Sequence, residues 1–168
     1  MGLSTFCVAT PFGAVRGAVS PKGLALVALP GCDWDTPLAR LVKLYGPPKE
    51  DERSLAAKEL RAYVAGQLHT FDVDIDLELA TPFARVVLPH LCRIPLGRVA
   101  TYGAIARDAG RPRAARAVGG VVGSNPVPIV IPCHRVVAST GLGGFGGGLP
   151  MKRWLLALEG VDPDAPPR

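Results

Sequence analysis

Apolar residues near the start of the chain fall in three short runs, Thr5 to Ala9, Val15 to Val19 and Leu24 to Leu29. Thr10-Pro11-Phe12-Gly13 separates the first two, and Pro21-Lys22-Gly23 precedes the third. Proline presets one backbone angle of a tight turn and glycine supplies the other, so the runs predict an antiparallel three-stranded meander. The spacing then lengthens. Leu38, Leu41, Val42 and Leu44 form a helical stripe after Thr36-Pro37, with the proline at the first helical position, and Gly46-Pro47-Pro48 ends it. A second helix is predicted from about Asp51 to Val64. Residues 1–76 therefore read as a small α/β domain.

From Thr81 onward the pattern is helical, and residues 77–168 read as a second domain. Thr81 is an N-cap and Pro82 follows at the first helical position, with Phe83, Val86, Val87 and Leu91 on one apolar face. Pro89 lies inside that helix, where it removes a hydrogen bond, so a kink or split is predicted between Arg85 and Pro89. Thr101 caps a helix from Tyr102 to Ala109, which Gly110 and Pro112 close. A third helix is predicted from about Arg113 to Val122. Two short helices around a glycine turn fit a helix-turn-helix, its second member reading Arg113-Ala114-Ala115-Arg116-Ala117-Val118-Gly119-Gly120. Beyond it lie a β-rich run through Val137, a loop from Ser139 to Gly148 with six glycines, and a helix from Met151 to Leu158. The tail from Asp162 is expected to fray.

A chain of 168 residues, 48% of them hydrophobic, can bury a core unaided. No run is long enough for a membrane span and no signal-type segment opens the chain, so a cytoplasmic protein with no membrane partner is expected. Cys7, Cys32, Cys92 and Cys133 form no CxxC pair, which points to reduced thiols rather than a zinc ribbon or a redox motif. Cys32 and His69 read as ordinary structural residues, and no metal or cofactor is called for. The formal net charge is +5. Nine Lys or Arg residues lie between Arg93 and Arg153, with Asp108 the one acid among them, so the C-terminal half carries a footprint for a polyanion.

The predicted second helix of the pair offers few side chains able to read base edges, which argues against sequence-specific readout in the major groove. Its alanines and glycines permit close backbone approach to a narrow groove, and an isolated arginine can reach phosphate or enter the base stack. The same composition also suits a helix packed closely on a neighbour.

The candidate chemistry lies in Ile129-Val130-Ile131-Pro132-Cys133-His134-Arg135-Val136-Val137. A thiol is a good nucleophile as thiolate, and a neighbouring basic or cationic group favours that form. Alternate residues of a strand face opposite ways, so contact between His134 and the sulfur would need a water relay or a bend, for which Pro132 is placed. The competing reading is a buried core cysteine.

Ile94-Pro95-Leu96-Gly97-Arg98-Val99-Ala100-Thr101-Tyr102, Ala114-Ala115-Arg116-Ala117-Val118-Gly119, Asn125-Pro126 and Pro132-Cys133-His134-Arg135-Val136, in this order, closely resemble the O6-alkylguanine-DNA alkyltransferases from Thr81 to Gly160. The resemblance implies a ribonuclease-H-like N-terminal α/β domain and a mainly helical C-terminal domain with a helix-turn-helix of winged-helix type. It also implies a monomer acting on double-stranded DNA containing O6-alkylguanine, with O4-alkylthymine a further candidate, by flipping the base from the minor groove.

Carried over residue by residue, it makes Cys133 the alkyl acceptor, His134 its base through a water and Glu159 the partner of the histidine. Asn125 would brace the turn before the cysteine, and Tyr102 would protonate the leaving base and strain the flipped nucleotide's phosphate. Arg116 would fill the vacated stack, with Thr101, Ala115, Gly119 and Ser124 beside the DNA. Pro128, Val136, Phe145, Gly146 and Gly148 would line the pocket. Phe145-Gly146 departs from the family's Tyr-Ser or Tyr-Arg, keeping the aromatic wall without side-chain hydrogen bonds to O6.

Thiolate attack on the alkyl carbon leaves a thioether, which offers water no carbonyl to attack, so one turnover per molecule is expected. Two other classes fit parts of the pattern. A non-catalytic lesion sensor would carry another residue, typically tryptophan, at position 133, and a cysteine hydrolase would bring its histidine from a distant segment.

Overall fold

The computed structural model describes residues 2–165 and divides into two compact units, one ending at Leu79 and the other beginning at Ala80. In the first, β1 (Ser4–Thr10), β2 (Gly13–Ser20) and β3 (Gly23–Ala28) form the expected antiparallel meander. A two-residue strand, β4 (Lys49–Glu50), adds parallel to β1 and gives the sheet order β3-β2-β1-β4. Nothing in Lys-Glu marks a strand; backbone bonds from Lys49 to Leu3 and from Asp51 to Thr5 define it. β3 is buried over five consecutive residues, so both of its faces are covered.

Helix α1 runs Asp35–Tyr45, beginning two residues before the expected proline. The Thr36 N–H bonds Asp33 Oδ1 at 3.2 Å and Asp35 sits in the positive first turn, so the helix gains two supports by starting early. Leu38, Leu41 and Val42 pack with Leu3, Ala18, Leu26 and Trp34. Helix α2 spans Leu55–Val64, four residues shorter at its start than expected, because Asp51 closes a turn on Arg53 and Ser54 and Ser54 then caps the helix. The buried Asp76 accepts from Ser20 Oγ at 2.5 Å and Tyr45 Oη at 3.0 Å, tying the end of this unit to its sheet and to α1.

In the second unit, α3 (Pro82–Leu91) has Thr81 as cap and Pro82 in its first turn, as its sequence predicts. The predicted split is not there: one helix runs through Pro89. Pro89 stands in the last turn, so the missing N–H costs the single bond to the Arg85 carbonyl and little helix remains beyond it to displace. Helix α4 (Tyr102–Asp108) is capped by the Thr101 hydroxyl and ends on Gly110 at φ +70°. Arg111 N–H bonds Ala106 and Gly110 N–H bonds Arg107, a Schellman ending that only a left-handed residue closes without strain.

Helix α5 (Ala115–Gly123) packs on α3 and α4. It starts two residues later than predicted because Ala114 N–H bonds the Arg111 carbonyl and closes a turn over Pro112-Arg113. Two-residue strands β5 (Ala100–Thr101) and β6 (Val136–Val137) pair in parallel, and α6 (Leu149–Leu158) follows the glycine loop. The tail expected to fray is tied down at its start: Arg153 pairs with Asp164 at 2.7 Å, and Asp164 N–H bonds Asp162 Oδ1. Residues 166–168 of that expectation lie outside the described residues. Among the described residues no helix is long and apolar enough to cross a membrane.

Candidate active site

Cys133 is not on a strand. Pro132, at φ −78° and ψ 63°, is the centre of an inverse γ-turn closed by Cys133 N–H to the Ile131 carbonyl at 2.7 Å. Cys133–Arg135 then form a single 3-10 turn, and only Val136–Val137 are extended. The β-branched flanks suggest a strand, but prolines at 126, 128 and 132 interrupt its hydrogen bonding. The bend for which Pro132 is placed is therefore present.

Asn125 builds the approach to this turn. Its Oδ1 accepts from Val127 N–H at 3.0 Å, its Nδ2 donates to the Ile131 carbonyl at 3.0 Å, and Ile131 N–H closes on Val127. The loop forces Ile129 to φ 76°, a left-handed conformation that a β-branched residue adopts only when its surroundings impose it. The consequence is local to the thiol: the Ile129 N–H is directed at the Cys133 sulfur, as is the Asn125 amide.

Burial nevertheless pushes the Cys133 thiol above its ordinary range, while Asn125, the positive charge of Lys152 and the N–H groups of Cys133 and Ile129 pull it down. The resting group at neutral pH is the thiol, only 4% exposed. A low-pKa resting thiolate, the expectation drawn from neighbouring His134 and Arg135, is not what this environment produces, because Arg135 points elsewhere. Its Nε and Nη2 bond Glu159 at 2.8 and 3.0 Å, and its Nη1 bonds the Ile94 carbonyl at 2.6 Å.

Glu159 is the C-cap of α6, fixed by a Schellman ending in which Gly160 N–H bonds Ala157 and Val161 N–H bonds Leu156. A carboxylate there opposes the helix dipole, and the Arg135 guanidinium offsets this. Its Oε1 also lies 2.8 Å from His134 Nε2. His134 is wholly buried, and burial holds its pKa below the usual histidine value; Glu159 opposes that shift, while Arg135 and Lys152 add to it. The imidazole is thus neutral at neutral pH, and a neutral ring donating Nε2–H to Glu159 carries its lone pair on Nδ1.

Tyr102 opens α4 and is half-buried between α5 and the glycine loop. A Cβ on Gly143 would come within 2.9 Å of its hydroxyl, so that glycine makes room for the phenol, while one on Gly119 would sit 3.9 Å from its ring, in ordinary contact. Burial raises the Tyr102 pKa, and the Gly144 N–H directed at the hydroxyl opposes this.

Arg116 stands exposed on α5 with Ala115 one residue before it. Ser124, the C-cap, turns its hydroxyl back to the Gly120 and Val121 carbonyls. The Thr101 hydroxyl is engaged in capping. Pro128 is buried in the Asn125 loop and Val136 is fully buried in β6. Phe145 and Gly146 lie on the glycine loop, and Gly148 is the N-cap of α6 at φ +87°. A cavity of about 660 Å³ lined by Arg98, Ser139, Thr140 and Arg153 contains none of Cys133, His134 or Tyr102.

One residue of the site is absent from the sequence reading. Lys152 is 0% exposed, and its Nζ donates to the carbonyls of Val136 at 2.7 Å, Leu142 at 2.5 Å and Gly144 at 3.1 Å. A signal for it exists: Lys152, Leu155, Leu156 and Glu159 follow i, i+3, i+4, i+7, so two charged residues occupy the buried stripe of α6.

These features define a mixed α/β protein with one buried thiol set beside a neutral His–Glu pair and a pair of short packed helices. The DNA-binding domain of 6-O-methylguanine DNA methyltransferase matches residues 82–161. The methylated-DNA–protein-cysteine methyltransferase of Mycolicibacterium paratuberculosis is 44% identical over 152 residues, 86% of this chain and 90% of that one. The Shigella flexneri protein of the same name is 38% identical over 160 residues, 91% and 93% of the two chains. Among solved structures, Mycobacterium tuberculosis O6-methylguanine methyltransferase superposes with a TM-score of 0.80 at 37% identity, covering 94% of this chain and 92% of that one. Mycobacterium tuberculosis OGT in complex with DNA gives the same TM-score and identity over 93% and 92%. The chain belongs to the methylated-DNA–protein-cysteine methyltransferase family.

Proposed function

We propose that the protein repairs DNA by transferring the alkyl group of O6-alkylguanine to Cys133, once per molecule. The observation that carries this reading is the neutral His134, oriented by Glu159, one residue from a buried thiol in a single 3-10 turn. His134 Nδ1 takes the thiol proton through a water as the sulfur attacks the alkyl carbon. The C–S bond forms and the C–O6 bond breaks, its electrons passing into the purine. Tyr102 supplies the proton the leaving base needs at N3. The proton held at His134 then returns through solvent to the Tyr102 phenolate, so that in sum thiol plus O6-alkylguanine gives thioether plus guanine.

A thiol this enclosed reaches a base only if the base leaves the helical stack, so we read the reaction as requiring base flipping. α4 and α5 serve as a helix-turn-helix set in the minor groove, with Arg116 in the vacated stack and Ala115, Gly119 and Ser124 against the backbone. Phe145, Gly146, Gly148, Pro128 and Val136 wall the pocket, and hydrogen bonds to O6 come from backbone N–H groups. The order β3-β2-β1-β4, with its parallel fourth strand, supports a ribonuclease-H-like first unit. We assign the protein to the cytoplasm, acting as a monomer.

Intact-mass spectrometry after incubation with O6-methylguanine duplex tests the reading. One methyl group per chain, mapped to Cys133, is expected. Several groups removed per chain, or transfer surviving in Cys133→Ala, would refute it; no adduct points to a lesion sensor, and a transient acyl adduct to a hydrolase.

A further inference from the structure

The cleft set apart from Cys133, about 660 Å³ in volume, is built wholly within the second unit. Residues 97–99 form one wall and lie on the end of α6, where a Cβ on Gly97 would sit 3.5 Å from the Glu159 carbonyl oxygen. Ser139 and Thr140, just after β6, form another, and the buried Val137 and Leu156 supply apolar lining. The Arg98 guanidinium and the Ser139 and Thr140 hydroxyls are exposed and have no partner among the described residues. Arg153 is the second guanidinium, and its Nη1 bonds Asp164 Oδ1 at 2.7 Å. A carboxylate keeps its oxygens in one plane, whereas a phosphate spreads them tetrahedrally and can meet donors from several sides, two guanidinium forks included.

The tail that supplies Asp164 is lightly held. Asp164 N–H bonds Asp162 Oδ1 and Ala165 N–H bonds the Asp162 carbonyl, both within the tail itself. Its tie to α6 is the Arg153–Asp164 pair, and an ion pair this exposed costs little to break. With the tail seated, Asp162 and Asp164 cancel the charges of Arg98 and Arg153. With it displaced, the cleft carries both positive charges and no acid.

We propose that this cleft is a binding site for a phosphate ester, and that residues 162–165 form a displaceable lid whose Asp164 holds Arg153 until the phosphate takes its place. The volume leaves room for an organic body beyond the phosphate, set against Val137 and Leu156. A nucleotide has this form, either free or as one unit of a DNA strand, and both sources present a phosphate to the two arginines. The cleft holds none of the groups that carry the alkyl transfer, so the proposal stands apart from that reading.

Titration of the ¹⁵N-labelled full chain with inorganic phosphate, with deoxyadenosine 5′-monophosphate and with deoxyadenosine tests the site. Both phosphates are expected to shift the amides of Gly97, Gly141 and Gly160, which line the cleft, and the nucleoside is not. Arg98→Gln and Arg153→Gln should each weaken monophosphate binding by about tenfold. Asp164→Asn should tighten it by about threefold, because the resident carboxylate no longer competes. All three side chains are exposed, so melting should be unchanged. Unmodified duplex decides the source. If the phosphate belongs to a strand, duplex moves the same amides, and Arg98→Gln lowers the slope of log affinity against log salt by about one. If it belongs to a free ester, duplex binding by Arg98→Gln coincides with wild type while monophosphate binding is still weakened. Amides that stay in place with both phosphates, or equal monophosphate affinity in wild type and both arginine variants, would overturn the site. Unchanged affinity in Asp164→Asn would overturn the lid.

Discussion

Glu159 Oε1 lies 2.8 Å from His134 Nε2 inside a site where neither side chain reaches solvent. The same carboxylate takes two hydrogen bonds from Arg135, so one anion fixes a tautomer and neutralises a guanidinium. Glu159→Gln keeps the shape and removes the charge. Transfer is expected to fall by about 10²-fold, because an imidazolium formed at His134 loses its counter-ion. Breaking one side of a buried pair is expected to cost about 3–5 kcal/mol of stability, seen as a lower urea midpoint.

The pH dependence follows from the His134 shift. Its folded pKa lies below the ordinary 6.5, so the folded protein declines a proton that the unfolded chain accepts as pH falls through 6.5. Stability is therefore expected to drop below that pH and to be indifferent to this residue above it. The transfer rate should persist to lower pH than a free imidazole would allow, with the midpoint of its acid limb below 6.5. Stopped-flow transfer and thermal melts across one buffer series check both, and an acid limb at or above 6.5 would contradict the neutral-base role.

Asn125→Ala removes the bonds to Val127 and Ile131 together with the amide directed at the sulfur. A loss of about 2–3 kcal/mol is expected from the unsatisfied turn. Cys133 labelling by iodoacetamide should also need a higher pH, a result that simple loosening of the fold would not give.

Gly143→Ala places a methyl 2.9 Å from the Tyr102 hydroxyl at a residue with φ +71°. The clash and the backbone conformation together are expected to cost about 1–3 kcal/mol and to slow transfer by displacing the phenol. Gly144→Ala, whose added carbon meets nothing within 4 Å, is the matched control for loop substitution.

Arg116→Ala tests the groove-facing role. Exposed on α5, Arg116 contributes little to the fold, so melting should be unchanged. Transfer from duplex is expected to fall by about tenfold while reaction with free O6-benzylguanine stays at the wild-type rate. Equal losses on both substrates would remove the arginine from the stack.

Local signals read well where one residue type has one physical use. Thr81-Pro82 and Thr101 place two helix starts, and Gly110 and Gly160 place two ends. The turn chemistry of the first 29 residues gives the meander. The thiol's backbone is harder to read, because β-branched flanks resemble a strand and the bonds that bend it come from Asn125 and from residues 127 and 131. β4 exists only through its pairing partner, so no window on Lys49-Glu50 could reveal it. Lys152 stayed hidden for a related reason: beside Arg153 it looks like solvent-facing charge, and only the helical phase of α6, together with the carbonyls waiting across the loop, turns it inward.

Keeping Cys133 protonated and enclosed has a consequence for what the molecule ignores. Peroxides and small electrophiles attack exposed thiolates, and a thiol that is 4% exposed with a raised pKa presents them with neither the surface nor the charge. On the proposed reading of one transfer per molecule, an exposed thiolate would be exhausted by such side reactions. The enclosed thiol works as a safety catch: reactivity stays latent until a base fills the site, and the shelf life of each copy is set by the burial that makes its resting state inert.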